Sequence, residues 1–263
     1  MTGLMESKAG LVTGAAGGIG RATAIALGRE GAAVVVNDLA SRQADGEATV
    51  ALVEQAGGRA TFVAGDVSQF ADQQALVAAV VDGYGRLDFA VNNAGVELSA
   101  TLVDTTEDEW DRIIDVNLKG VWLGLKAQLA RMADQGTGGA IVNISSLAGL
   151  IAAPALGAYV ASKHGVIGLT KTAAVEHAQH EIRVNAVCPA AIATDMIRVM
   201  EPERQQELAS PQALKRFGTP EEVAEAIVWL LSDRASFVTG TAMPIDAGST
   251  AGIVLPGEVR FAS

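Results

Sequence analysis

Cysteine is almost missing from this chain: Cys188 is the only one in 263 residues. No internal disulfide can form, and a reducing, cytoplasmic setting is the expectation. Positive charge is also scarce. Lys and Arg number 19 against 30 Asp and Glu, for a formal net charge of −11. That balance argues against nucleic acid or an anionic membrane surface as a partner, and weighs against an acidic carrier protein. Long apolar runs are lacking too. The most apolar stretch, Leu147 to Ala161, is too short to span a bilayer and is broken by Pro154. Residues Met1 to Lys8 have no apolar centre of the kind a signal peptide needs.

What the chain does have is small apolar residues, spread along its whole length. They suffice for a large core and alternate between two periods. Short β-branched runs (Ala9–Val12, Ala32–Asp38, Arg59–Asp66, Leu87–Val91, Ala140–Ser145, Ile182–Cys188) read as strands. Between them lie helically spaced segments, including Ser41 to Gln55, Phe70 to Tyr84, a long region to Met132 and another from Ala158 to Ala178. Thr106 with Glu109 has capping-box spacing, and Thr219 before Pro220 marks a further helix start. Thr241 to Asp246 is a last candidate strand, which Pro244 confines to a sheet edge. The alternation predicts an α/β fold: one doubly wound, Rossmann-like domain over residues 1–263 with a mostly parallel sheet. Residues 190–218 are polar and poorly patterned, as expected of a substrate lid.

The turn between the first strand and helix is Thr13-Gly14-Ala15-Ala16-Gly17-Gly18-Ile19-Gly20. Glycines there let backbone N–H groups and the helix dipole reach a phosphate without interference from side chains. Asp38, at the end of the second strand, stands where a carboxylate accepts hydrogen bonds from an adenosine ribose and repels a 2′-phosphate. Arg42 nearby could soften that choice of NAD over NADP. Tyr159 and Lys163 are four apart on a predicted helix and so share a face. An ammonium beside a phenol favours the phenolate, which is what a neutral-pH acid–base tyrosine requires. A buried tyrosine with a solvated lysine is the commoner fate of such a pair. His177 and His180, flanked by Glu176 and Glu181, read as a solvated helix end, with no metal site expected. Cys188 reads as a small buried residue. Glu97 follows Gly95 at the carboxyl end of a strand, an edge that borders the ligand crevice in open α/β sheets.

Thr13-Gly14-x-x-x-Gly18-x-Gly20, Asn92-Asn93-Ala94-Gly95, Ser146 and Tyr159-x-x-x-Lys163 together resemble the short-chain dehydrogenase/reductase family, from about Lys8 to Gly252. The resemblance implies an NAD cofactor held by Gly14, Gly18, Ile19, Gly20, Asp38, Asp66, Val67, Asn93, Ala94, Gly95, Ile192 and Thr194, with Tyr159 and Lys163 at its nicotinamide end. It further implies Tyr159 as acid–base and Lys163 as the group that lowers the phenol's pKa. Ser146 would hydrogen-bond the reacting oxygen, and Asn117 would anchor a water in a proton relay. Strand-end alternation lets only one of Ser145 and Ser146 face the substrate, and the family's interval of 13 residues before Tyr159 selects Ser146. Substrate contacts are expected at Ser146, Leu147, Tyr159 and Met196, with Leu150, Leu156, Ile192, Val199 and Met200 making the surroundings apolar. These surroundings favour a hydrophobic or alicyclic secondary alcohol, or its ketone, over a polyol. The alternatives are an NADPH-dependent 3-oxoacyl-carrier-protein reductase and a non-catalytic dinucleotide sensor. Pro189-Ala190 and Asp246-Ala247-Gly248 depart from the family's usual Pro-Gly and Asp-Gly-Gly. The resemblance also implies a homotetramer.

Overall fold

The strand-like runs form β1 (Ala9–Val12), β2 (Ala33–Asp38), β3 (Arg59–Ala64), β4 (Phe89–Asn92), β5 (Gly139–Ile144), β6 (Ile182–Pro189) and β7 (Ala242–Ile245). In this computed structural model, which describes residues 3–193 and 212–252, they make one seven-stranded sheet in the order β3-β2-β1-β4-β5-β6-β7. Every pairing is parallel. The order reverses direction between β1 and β4, and the Gly14 turn and Asn93 lie at those two strand ends. A ligand crevice belongs at such a switch point. β7 is an edge strand, with Pro244 opposite Cys188, as a residue without an N–H requires.

Among the described residues the helices are α1 (Gly18–Arg29), α2 (Gln43–Gln55), α3 (Phe70–Tyr84), α4 (Glu107–Ile114), α5 (Gly120–Gln135), α6 (Gly157–His177) and α7 (Pro220–Leu231). Strand alternation deals the core to both faces of the sheet. Val34, Val36, Val142 and Ile144 pack with Leu27 of α1 and Ile227 of α7. Val35 and Ile141 pack with Leu76 of α3, Leu125 of α5 and Val166 of α6 on the other face. Thr106 and Glu109 complete their capping box at α4, and Thr219 forms a second one with Glu222 at α7. Arg183 closes the other end of α7, donating to the carbonyls of Leu230 (2.6 Å), Leu231 (3.2 Å) and Ser232 (3.0 Å).

Three local features depart from the sequence-based expectation. The region from α4 to α5 is not one regular helix, because one π-turn, Asp115–Lys119, interrupts it. Ala190 takes no positive φ and donates its N–H to Ile245 (3.1 Å), so its methyl causes no backbone strain. Ala247, by contrast, has φ +50°. A left-handed backbone costs a non-glycine residue about 1–2 kcal/mol; here the Ala247 carbonyl is held by the N–H of Ala213 at 2.9 Å. Among the described residues, no helix is long and apolar enough to cross a membrane.

Candidate active site

The Gly14 turn packs directly on the end of β4. Gly14 has φ +62°, and a Cβ there would stand 2.8 Å from the Ala94 Cα. A Cβ on Gly20 would lie 2.6 Å from Asn93 Nδ2 and would overlap the Gly14 carbonyl. Only glycine fits at either place. Asn93 donates its amide to the carbonyls of Thr13 (2.8 Å) and Gly14 (3.1 Å). The Thr13 hydroxyl accepts from the N–H groups of Asn93 (3.0 Å) and Ala94 (3.1 Å). One threonine and one asparagine thus tie the two strand ends together. Below them Asn92 bonds Gln128 and Asn143 in a fully buried network.

A cavity of about 850 Å³ runs along these strand ends. Gly14, Gly18, Ile19, Asp38, Asp66, Val67, Asn93, Ala94 and Gly95 line it; Gly20 lies behind the turn. No side chain caps the N-terminus of α1 and no acid sits in its first turn, so its positive end faces the cavity unneutralised. Asp38 Oδ2 accepts from the Ala16 N–H (3.1 Å) and Oδ1 from the Leu39 N–H (2.9 Å). A carboxylate has about four acceptor positions, so lone pairs remain for a ribose. Asp66 Oδ1 is occupied by the Ser68 N–H and hydroxyl. The cradle, the open helix end and the aimed carboxylate fit a dinucleotide.

Asn117 owes its placement to the π-turn. Its amide accepts from the Val96 N–H and donates to the Val96 carbonyl, both at 2.8 Å, and reaches Ser162 Oγ at 3.4 Å. The side chain is fully buried. Ser145 turns inward to the Lys163 carbonyl (2.9 Å), whereas Ser146 is part-exposed and lies close enough to the Tyr159 phenol to favour its phenolate. Ser146 Oγ also accepts from the Ala148 N–H at 3.1 Å. Lys163 Nζ lies 5.5 Å from the centre of the Tyr159 ring and donates to the Ile144 carbonyl at 2.9 Å.

The electrostatics differ from the sequence expectation. Burial pushes the Tyr159 phenol above its ordinary value; Ser146 opposes this, and the negative charge of Glu97 adds to it. Burial brings Lys163 down to about 8. The ammonium points to a carbonyl rather than the phenol oxygen, so Ser146, not Lys163, is the group that opposes the rise here. Leu147, Leu150 and Leu156 are half-buried and Ile192 is buried. Thr194, Met196, Val199 and Met200 lie outside the described residues, as does the tail from Ile253. The ends of the expected lid meet: Ala193 donates to the Gly218 carbonyl (2.8 Å) and Gly218 to that of Ala191 (3.1 Å). His177 Nδ1 faces the Ala173 carbonyl at 3.2 Å. Among the described residues no group of three metal-ligating side chains gathers anywhere.

A family model described as enoyl-(acyl carrier protein) reductase matches residues 14–250. The short chain dehydrogenase/reductase astE of Aspergillus oryzae is 44% identical over 250 residues, covering 93% of this chain and 95% of that one. The chain is a short-chain dehydrogenase/reductase. Within this family it is also 41% identical to a 2,5-dichloro-2,5-cyclohexadiene-1,4-diol dehydrogenase of Sphingobium indicum, over 94% of this chain and 98% of the other. It is 44% identical to the 3-oxoacyl-[acyl-carrier-protein] reductase FabG of Thermotoga maritima, over 93% and 98%. Among solved structures, carveol dehydrogenase from Mycobacterium avium in complex with NAD superposes with a TM-score of 0.90 at 35% identity, covering 95% of this chain and all of that one.

Several structural roles in this short-chain dehydrogenase/reductase were not assigned from sequence. Thr13 was visible only as the start of the glycine motif. Ser162, which accepts from Asn117 and donates to the Tyr159 carbonyl (2.7 Å), carries no motif of its own. Asn37, buried between β2 and β3, donates to the carbonyls of Val63 and Gly65. Its signal was a polar residue within an apolar strand.

Proposed function

We propose that the protein is an NAD(H)-dependent oxidoreductase that interconverts a hydrophobic or alicyclic secondary alcohol and its ketone. The observation that carries this reading is the cluster of Ser146, Tyr159 and Lys163 at one end of the strand edge, with the Asp38 carboxylate at the other. Bound nicotinamide dinucleotide supplies the hydride acceptor or donor. Ser146 Oγ donates a hydrogen bond to the substrate oxygen. In reduction Tyr159 Oη gives that oxygen its proton; in oxidation the phenolate removes it. The Ile144 carbonyl accepts from the Lys163 ammonium beside the phenol ring, and Ser146 is the group that favours the phenolate. Half-buried leucines and Ile192 exclude water. The ring alcohol in the name of the diol dehydrogenase supports an alicyclic substrate, and the NAD in the carveol dehydrogenase structure supports that cofactor.

Asp38 is the deciding group for NAD. Its charge opposes a 2′-phosphate and accepts from ribose hydroxyls, and charge-assisted bonds of this kind contribute about 1.5–3 kcal/mol. Asp38→Ala is expected to weaken NADH binding roughly 10- to 100-fold and to strengthen NADPH binding, as read by fluorescence titration. Tighter binding of NADPH than NADH by the unaltered protein would sink the NAD assignment. That outcome would favour the acyl-carrier reductase reading, which FabG's 44% identity supports.

The same reading makes the chain a cytoplasmic homotetramer. Leu102, Val103 and Trp122 are exposed around α4 and α5, supplying apolar surface that association would cover. Sedimentation equilibrium should give the mass of four chains; a monomer overturns this point.

A further inference from the structure

A strap of chain, Val96 to Ala100, is fixed at both ends beside the acid–base cluster. Asn117 holds Val96 by its N–H and its carbonyl. Ala100 donates to the Ala155 carbonyl at 2.9 Å and bridges Leu156, three residues before Tyr159. Just before the strap, a Cβ on Gly95 would lie 3.6 Å from Lys163 Nζ. Glu97 sits between the anchors with an exposed side chain. It has no hydrogen-bond or ion-pair partner among the described residues, yet its charge acts on both Tyr159 and Lys163. The described groups facing Tyr159 are Ser146, Lys163 and Glu97, and Cys188 stands near Lys163.

An acid held on a rigid strap at the carboxyl edge of the sheet, near apolar leucines, is poorly explained as decoration. Its acceptor positions are unfilled, and a charged acceptor bonds a hydroxyl roughly twice as strongly as a neutral one. It also repels anions. We propose that Glu97 is a substrate-recognition residue: its carboxylate accepts a hydrogen bond from a second hydroxyl of an alicyclic substrate. Diols and hydroxyketones are then preferred over simple cyclic alcohols, and carboxylate-bearing alcohols are turned away. This deepens the alcohol–ketone reading above and rests on it.

The test compares kcat/KM for cyclohexanol, the 1,2-, 1,3- and 1,4-cyclohexanediols and 4-hydroxycyclohexanecarboxylate in the full-length protein, Glu97→Gln and Glu97→Ala. The unaltered protein should favour one diol isomer over cyclohexanol by about tenfold. Both substitutions should bring that ratio close to one. At the same time they should raise the hydroxycarboxylate relative to cyclohexanol by about tenfold. Two ratios moving in opposite directions cannot come from partial unfolding. The alkaline limb of the pH–rate profile should also move to lower pH in Glu97→Gln, since an anion that raises the Tyr159 pKa is gone. Turnover with unchanged ratios in both variants overturns the role of Glu97 alone. Absence of turnover with every alcohol, using either NAD or NADP, overturns the parent reading as well.

Discussion

Tyr159→Phe should lower kcat by about 10³-fold in both directions while leaving NADH affinity, read by fluorescence titration, within about twofold. The substitution removes one oxygen and keeps the ring against Lys163, so the cofactor cradle at Gly14 and Asp38 is untouched. Turnover retained within tenfold would refute Tyr159 as the acid–base. The pH dependence has a definite sign. Burial holds the phenol above its ordinary pKa, so at neutral pH Tyr159 is protonated and ready to donate. Reduction should therefore run at neutral pH and decline as pH rises through that raised pKa. Oxidation needs the phenolate and should rise over the same interval. In the same direction Lys163, brought to about 8, loses its charge earlier than an ordinary lysine, which blunts the gain on the alkaline side.

Asn117→Ala should cost both stability and activity. Truncation leaves the Val96 N–H and carbonyl without their partners, and each buried orphan costs about 1–3 kcal/mol. A combined loss of roughly 2–4 kcal/mol in urea unfolding is expected, together with a fall in kcat/KM because the strap carrying Glu97 comes free. The family resemblance gave Asn117 a different task, anchoring a water in a proton relay. Here both amide atoms are engaged by Val96, a clamp that adds to that task, since the amide oxygen keeps a second acceptor position. An Asn117→Ala protein of unchanged stability but poor turnover would leave the relay as its only role.

The fold was largely legible because its signals are local. Apolar runs such as Val34-Val35-Val36 can only be strands buried on both sides, and capping pairs such as Thr106 with Glu109 announce a helix within four residues. The glycine turn was legible for the same reason: Gly14 and Gly20 are needed where backbone meets backbone, a demand no other residue meets. What escaped depends on contacts across the fold. The π-turn at Asp115–Lys119 adds no composition signal, yet it aims Asn117 at Val96. The raised pKa of Tyr159 reflects burial against the sheet, which a spacing of four residues does not encode. The Thr13–Asn93 tie joins residues eighty positions apart in sequence, at ends of strands made neighbours by topology alone. Ser145 and Ser146 are an intermediate case: strand alternation said that they diverge, and the distance from the tyrosine said which one faces it.

The short clasp between Ala191–Ala193 and Gly218 gives the chain a seam. The two anchors are closely spaced, and each doubling of a loop between such ends costs only about 0.6 kcal/mol in closure entropy. Segments of different length and chemistry can therefore be exchanged at this seam without rewriting β6, α7 or the acid–base residues. A library that varies residues 195–211 and leaves Thr194 in place would alter substrate preference on a scaffold whose cofactor cradle and proton-transfer groups stay constant.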